Sequence, residues 1–163
     1  MSSDSTRKKI RVMASGVFDL IHLGHIHYLQ EAKKLGDELV VVVATDATVR
    51  RTKHEPITPG VIRVQIVSAL KPVDLAVLGH EDDIFKTVEE LKPDIIALGY
   101  DQKFDEGQLQ EELRKRNMGH IKIVRLSKLD YHLNGTRKII QRVIDWYSGT
   151  VEGRDRTDIN KKS

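Results

Sequence analysis

Two imidazoles three positions apart, His22 and His25, sit in the stretch Ala14-Ser15-Gly16-Val17-Phe18-Asp19-Leu20-Ile21-His22-Leu23-Gly24-His25. The stretch joins a short apolar run, Ile10 to Ala14, to a helical pattern that begins near Gly24. Such a corner is suited to holding phosphate. Gly16 lets the backbone turn tightly or approach a ligand, and Gly24 allows the same closeness between the imidazoles. The helix that follows opens with unpaired N–H groups and the positive end of its dipole, both favourable to an anion. The histidines add donors that carry charge when protonated. Two plainer readings compete: the histidines cap a helix, or with His27 they ligate a metal. No carboxylate stands nearby at ligand spacing, which disfavours the metal, and His27 is expected at the surface.

Further along, Arg50, Arg51, Lys53 and Arg63 form a local basic cluster of the kind a small polyanion needs. Asp101 directly follows an apolar strand pattern and is placed to meet a nucleotide's sugar or base, although aspartate also fills turns and caps. Thr136 and Arg137 open the last helical pattern, where a hydroxyl, a guanidinium and free N–H groups meet phosphates well. The competing reading there is an Asn134 cap beside a surface arginine.

The elements that must position these residues alternate. Ile10 to Ala14 reads as a strand. Tyr28, Leu29, Ala32 and Leu35 fall at helical spacing and Gly36 ends that helix. The run Leu39 to Ala44 reads as a strand buried on both faces, as in a parallel sheet. Thr45 to Thr58 is expected as a polar connection. Helix is expected from about Val61 to Leu70, strand at Leu75 to Gly79, then a helix capped by Asp82 or Asp83 and ending near Leu91. Strand follows at Asp94 to Gly99, helix at Glu106 to Arg116, and a fifth strand at Ile121 to Leu126. The last helix, near Thr136 to Tyr147, gathers Ile139, Ile140, Val143, Ile144 and Tyr147 on one face. The class is therefore α/β, a doubly wound, mainly parallel, five-stranded Rossmann-like sheet. Its ligands are expected outside the carboxyl ends of the strands. Gly16 to His25, Thr45 to Lys53 and Gly99 to Gln102 all follow strands and should converge there.

A chain of 163 residues fits one domain at 10–147, between a flexible start at 1–9 and a flexible charged tail at 148–163. The 27 Lys+Arg nearly balance 24 Asp+Glu, and aromatics make up only 5%. Without a concentrated basic face interleaved with aromatics, nucleic acid is not the expected partner. No apolar run approaches the length of a membrane span, and Met1 to Lys9 lacks the apolar core of a secretory signal. The absence of cysteine removes thiolate chemistry and fits a cytoplasmic location.

Gly16-Val17-Phe18-Asp19, His22-Leu23-Gly24-His25 and Asn134-Gly135-Thr136-Arg137 together resemble the signature of the cytidylyltransferase-like nucleotidyltransferases, over about Arg11 to Tyr147. Within that superfamily, Leu70-Lys71-Pro72-Val73-Asp74, the segment Lys92 to Gln102, and Phe104-Asp105-Glu106 look most like archaeal FAD synthases. The resemblance implies transfer of AMP from ATP to FMN, giving FAD and pyrophosphate, with a divalent cation, Mg²⁺, bridging the phosphates. A CTP-dependent transfer to glycerol phosphate, or a non-catalytic nucleotide-binding module, are the alternatives. The implied catalytic set is His22, His25, Lys53 and Arg137. Gly16, Val17, Phe18, Leu23, Gly24, Asp101 and Thr136 would line the nucleotide site with the two histidines, and no residue is implied as a protein metal ligand. A homodimer is also implied. Two departures stand out: Asn134-Gly135 replaces the usual Ile-Ser, and the acidic residue usual before Arg63 is missing among Gly60, Val61 and Ile62.

Overall fold

A computed structural model describes residues 7–52 and 54–149 of the chain. Five strands, β1 (Arg11–Gly16), β2 (Glu38–Val43), β3 (Leu75–Leu78), β4 (Ile95–Leu98) and β5 (Lys122–Arg125), form one sheet in the order β3-β2-β1-β4-β5. Every pairing is parallel. The intervening helices are α1 (Leu23–Lys33), α2 (Asp46–Thr52), α3 (Gly60–Ser68), α4 (Ile84–Leu91) and α5 (Glu106–Lys115), with α6 (Thr136–Ser148) last.

Period-two alternation divides the strand side chains between two cores. Val12, Ala14, Leu39, Val41, Val43 and Ala97 pack with Leu29 and Ala32 of α1 and Val67 of α3. Met13, Val42, Ile96 and Leu98 pack with Val88 of α4 and with Leu109 and Leu113 of α5. The sheet thus lies between two helical layers, which is why β2 carries apolar side chains on both faces.

Aspartates pin the amino edge of the sheet. Asp37, Asp74 and Asp94 each precede a strand and accept from the backbone N–H of Ile10 (2.8 Å), Leu39 (2.6 Å) and Arg11 (2.9 Å). That edge is closed by carboxylates and serves stability. The carboxyl edge is open, and there the order reverses between β1 and β4.

One sequence expectation is corrected. The connection from Thr45 to Thr58 contains α2, because the Thr45 hydroxyl accepts from Thr48 N–H (3.2 Å), while Asp46 in the first turn and Arg50 and Arg51 in the last complement the helix dipole. In α6 the apolar stripe exists but no residue of the helix is buried: Val143 and Ile144 are exposed, and Tyr147 is 73% exposed. Elsewhere the boundaries agree within a residue or two; Asp83 caps α4 by accepting from Phe85 N–H (2.9 Å).

Leu29 has no exposed surface and sits where α1 meets the central strands. Leu29→Ala is expected to lower stability by about 2–5 kcal/mol, read from the urea midpoint at unchanged m-value.

Candidate functional site

Pairing of β1 with β4 runs from Val12–Ile95 to Ala14–Ala97 and stops. Just beyond, Ser15 finds its partners in side chains. Its N–H donates to the Tyr28 hydroxyl (3.2 Å), which donates in turn to the Ala97 carbonyl (2.7 Å). Its carbonyl accepts from Gln102 Nε2 (2.6 Å), while Gln102 Oε1 accepts from Gly99 N–H (3.0 Å). The strands part here with the N–H and carbonyl of Ser15 both paired, at the switch point where an α/β sheet is expected to have its ligand crevice. Burial raises the Tyr28 phenol well above its usual range, so the bridge stays protonated.

The histidine corner stands over this crevice. A Cβ on Gly16 would lie 2.9 Å from the Phe18 ring, so only glycine lets that ring fold back. Phe18 adopts φ 54, a left-handed conformation that costs a non-glycine residue about 1–2 kcal/mol. Its buried ring lies tilted against His25, centroids 5.2 Å apart. His22 and His25 stack at 3.8 Å with an interplanar angle of 23°. His22 is also the N-cap of α1, its Nδ1 accepting from Gly24 N–H (3.1 Å). Capping and a role at the site are therefore compatible: with Nδ1 occupied, the neutral ring carries its proton on Nε2. Burial lowers the His22 pKa, and the negative charge of Asp101 offsets part of that effect. An arriving triphosphate would push it back upward.

Gly24 does a second job. A Cβ there would lie 2.5 Å from the Asn134 carbonyl and 2.9 Å from the His22 ring, so the start of α6 packs directly on the histidine corner. Asn134 is buried, donating to the Leu129 carbonyl (2.7 Å) and accepting from Lys138 (3.0 Å), which shapes the turn into α6. Gly135 is the N-cap and makes no side-chain cap bond. Thr136 is half-buried and Arg137 exposed in the first turn of α6. Asn134 thus caps through neither of its side-chain atoms. Asp101 is exposed on the loop after β4, near enough to act electrostatically on His22 and Tyr28. Leu23, also exposed, opens α1.

The basic cluster does not gather. Arg50 forks onto the Glu55 carboxylate (2.8 to 3.0 Å), and Arg51 donates to the Glu81 carbonyl and the Thr48 hydroxyl. Arg63 is neither on the surface nor turned toward a ligand. It has no exposed surface, and it donates to the carbonyls of Thr58 (2.9 Å), Val17 (2.8 Å) and Ala44 (2.8 Å) and to the Asp46 carboxylate (2.6 Å). Asp46, from α2 and 17 positions earlier, supplies the acidic partner that is missing from the positions directly before Arg63. Lys53 lies outside the described residues. His27 is half-buried rather than exposed, its Nε2 shielded from solvent and without a hydrogen-bond partner among the described residues. Among those residues no group of three His, Asp or Glu side chains is arranged to hold a metal ion.

Sequence reasoning left Asp19, Asp46, Tyr28, Gln102 and Arg125 without roles. Asp19 had a signal, its place in Gly-x-Phe-Asp. Its buried carboxylate accepts from Ile57 N–H (2.6 Å), Thr58 N–H (2.9 Å) and the Thr58 hydroxyl (2.7 Å). Burial alone would raise its pKa, but those bonds and the charge of Arg63 hold it below the usual value.

The family model described as cytidylyltransferase-like matches residues 13–144. A FAD synthase of Aciduliprofundum boonei is 62% identical over 83% of this chain and 91% of its own length. One from Thermoplasma volcanium is 57% identical over 83% and 95%. A crystal structure from Thermoplasma volcanium, described as a lipopolysaccharide core biosynthesis protein, is 61% identical and superposes with a TM-score of 0.74 over 76% of this chain and 100% of that one.

Asp19→Asn is expected to destabilise the protein by about 1–3 kcal/mol at pH 7, because an amide cannot accept from all three donors. A depressed carboxylate pKa contributes stability above the unfolded value and loses it as pH falls through the folded one. The gap between wild type and variant, followed by urea denaturation, should therefore close as pH drops below 3.8.

Proposed function

Because the chain belongs to the cytidylyltransferase-like family and stands among its FAD synthases, we propose that it is an FMN adenylyltransferase. A phosphate oxygen of FMN attacks the α-phosphorus of ATP, the bond to the bridging oxygen breaks, and pyrophosphate leaves with that electron pair as FAD forms. The observation that carries this reading is 62% identity to a FAD synthase over 83% of this chain and 91% of that one. The Thermoplasma volcanium structure bears another description, but its 61% identity to this chain is matched by the 62% of the Aciduliprofundum boonei FAD synthase.

The nucleophile is already anionic, so the protein's task is positioning and charge stabilisation. His22 offers an Nε2 proton from a ring whose Nδ1 is occupied, and His25 stacks beside it. The Nε2 proton meets negative charge as it builds on the phosphates, while Nδ1 stays engaged with the Gly24 N–H. Thr136, Arg137 and the uncapped N-terminus of α6 face the β- and γ-phosphates, and Lys53, next in sequence after α2, adds a cation. Asp101 takes the ribose hydroxyls at the switch point, while the backbone of Gly16, Val17 and Phe18, with Leu23 and Gly24, bounds the nucleotide pocket. Mg²⁺ enters as part of the nucleotide substrate, held by its phosphates.

The reading places the enzyme in the cytoplasm as a homodimer. The apolar stripe of α6, exposed among the described residues, supports self-association, and light scattering should give twice the 18.6 kDa chain mass.

With FMN, ATP and Mg²⁺ the purified protein should release pyrophosphate and form FAD, resolved by chromatography of the flavins. His22→Ala and His25→Ala should each lower kcat by about 10²–10³-fold. Turnover of CTP with glycerol phosphate in place of ATP with FMN would make it a cytidylyltransferase. Nucleotide binding with no turnover of either pair would make it a binding module.

A further inference from the structure

The connection from β4 to α5 carries Asp101, yet Asp101 makes no side-chain hydrogen bond among the described residues, and residues 99–105 contain no helix or strand. Within the loop Gly99 and Gln102 bond each other, and further restraint comes from outside it. Arg125, the last residue of the edge strand β5, sends Nη1 to the carbonyls of Gly99 (2.9 Å) and Gln102 (3.1 Å) and Nη2 to the carbonyl of Phe104 (2.6 Å). Its Nε donates to Glu106 Oε1 (2.6 Å) in the first turn of α5. One planar guanidinium thereby holds the start, middle and end of the loop together with the helix it enters. Gln102 fastens the same loop to Ser15 at the crevice. Tyr100 and Asp101, which lie between the held carbonyls, are left exposed. A lysine ammonium lacks the fork that reaches three carbonyls and a carboxylate at once.

We propose that Arg125 is a positioning residue for nucleotide transfer, acting through the β4–α5 loop to hold Asp101 at the crevice. The proposal rests on Asp101 as a nucleotide contact. Its physical half, the placement of Asp101 beside the histidine corner, can be read without any turnover.

Two measurements test it. In the first, ¹⁵N-histidine spectra follow the titration of His22, whose ring faces His25 as a second titrating group and Asp101 as the nearby carboxylate. Asp101→Asn removes a charge that favours the imidazolium, so the His22 midpoint should fall. Arg125→Met should lower it in the same direction, Arg125→Lys should lower it less, and the double variant should add nothing to Asp101→Asn alone. In the second, Arg125→Met should raise the nucleotide KM about tenfold, the scale of one lost charge-assisted hydrogen bond, with kcat changed far less and the far-UV spectrum retained. An unmoved His22 midpoint in folded Arg125→Met or Arg125→Lys overturns the proposal, as do KM effects that add independently to those of Asp101→Asn. If Asp101→Asn itself leaves KM unchanged, the assignment of Asp101 as a nucleotide contact fails. Arg125 is then judged by the His22 titration alone, where a fall matching that of Asp101→Asn supports its hold on the loop.

Discussion

Arg63 carries a full positive charge with no exposed surface, and the carboxyl edge of the sheet is organised around it. Burying an ionised group is strongly unfavourable unless its donors find acceptors and its charge a counter-charge. Here the carbonyls of Val17, Ala44 and Thr58 and the carboxylate of Asp46 meet both needs. Those acceptors come from the loop after β1, the end of β2, the approach to α3, and the first turn of α2. None can move without exposing the guanidinium or leaving it unpaired. Asp19 repeats the arrangement with opposite sign by gathering the N–H groups of Ile57 and Thr58. The two buried charges act on the same short segment, one at its carbonyl and one at its amides, so the turn that carries His22 starts from a fixed base.

Across the switch point the same end is reached with neutral groups. Tyr28 and Gln102 take the N–H and carbonyl of Ser15 that β4 no longer pairs. The crevice between β1 and β4 is therefore a stabilised divergence, with its polar groups satisfied before any ligand arrives. His22 follows the same pattern: it caps α1 through one nitrogen and keeps the other for the site, and burial favours the neutral form whose Nδ1 can accept.

Much of this was legible in the residues. The run from Leu39 to Ala44 announced a strand buried on both faces, and alternating apolar periods fixed the class and the convergence of the strand ends. The histidine corner was legible because glycine spacing constrains backbone directly, and both Gly16 and Gly24 prove to be places where a Cβ would collide. Arg63 was not. A basic residue near other basic residues looks alike whether it meets phosphate or backbone carbonyls, and its partner Asp46 stands on another helix. Helix α2 was hidden because one threonine cap and a dipole-matched pair of ends define it, without an apolar period. For α6 the period was correctly read, but periodicity reports an apolar face and not what covers it.

The register of the central strands also orders events in time. β1 meets β2 by pairing Arg11 with Glu38, whereas β1 meets β4 by pairing Val12 with Ile95. The second closure spans roughly eighty residues, and contacts of that separation reward the chain only after the loop entropy has been met. Synthesis delivers the histidine turn and the strands β1 to β3 before β4, and Ser15 cannot be bridged until Gln102 is made. The divergence of β1 and β4 thus needs groups from both halves of the chain, and a fragment ending after the third strand would lack it.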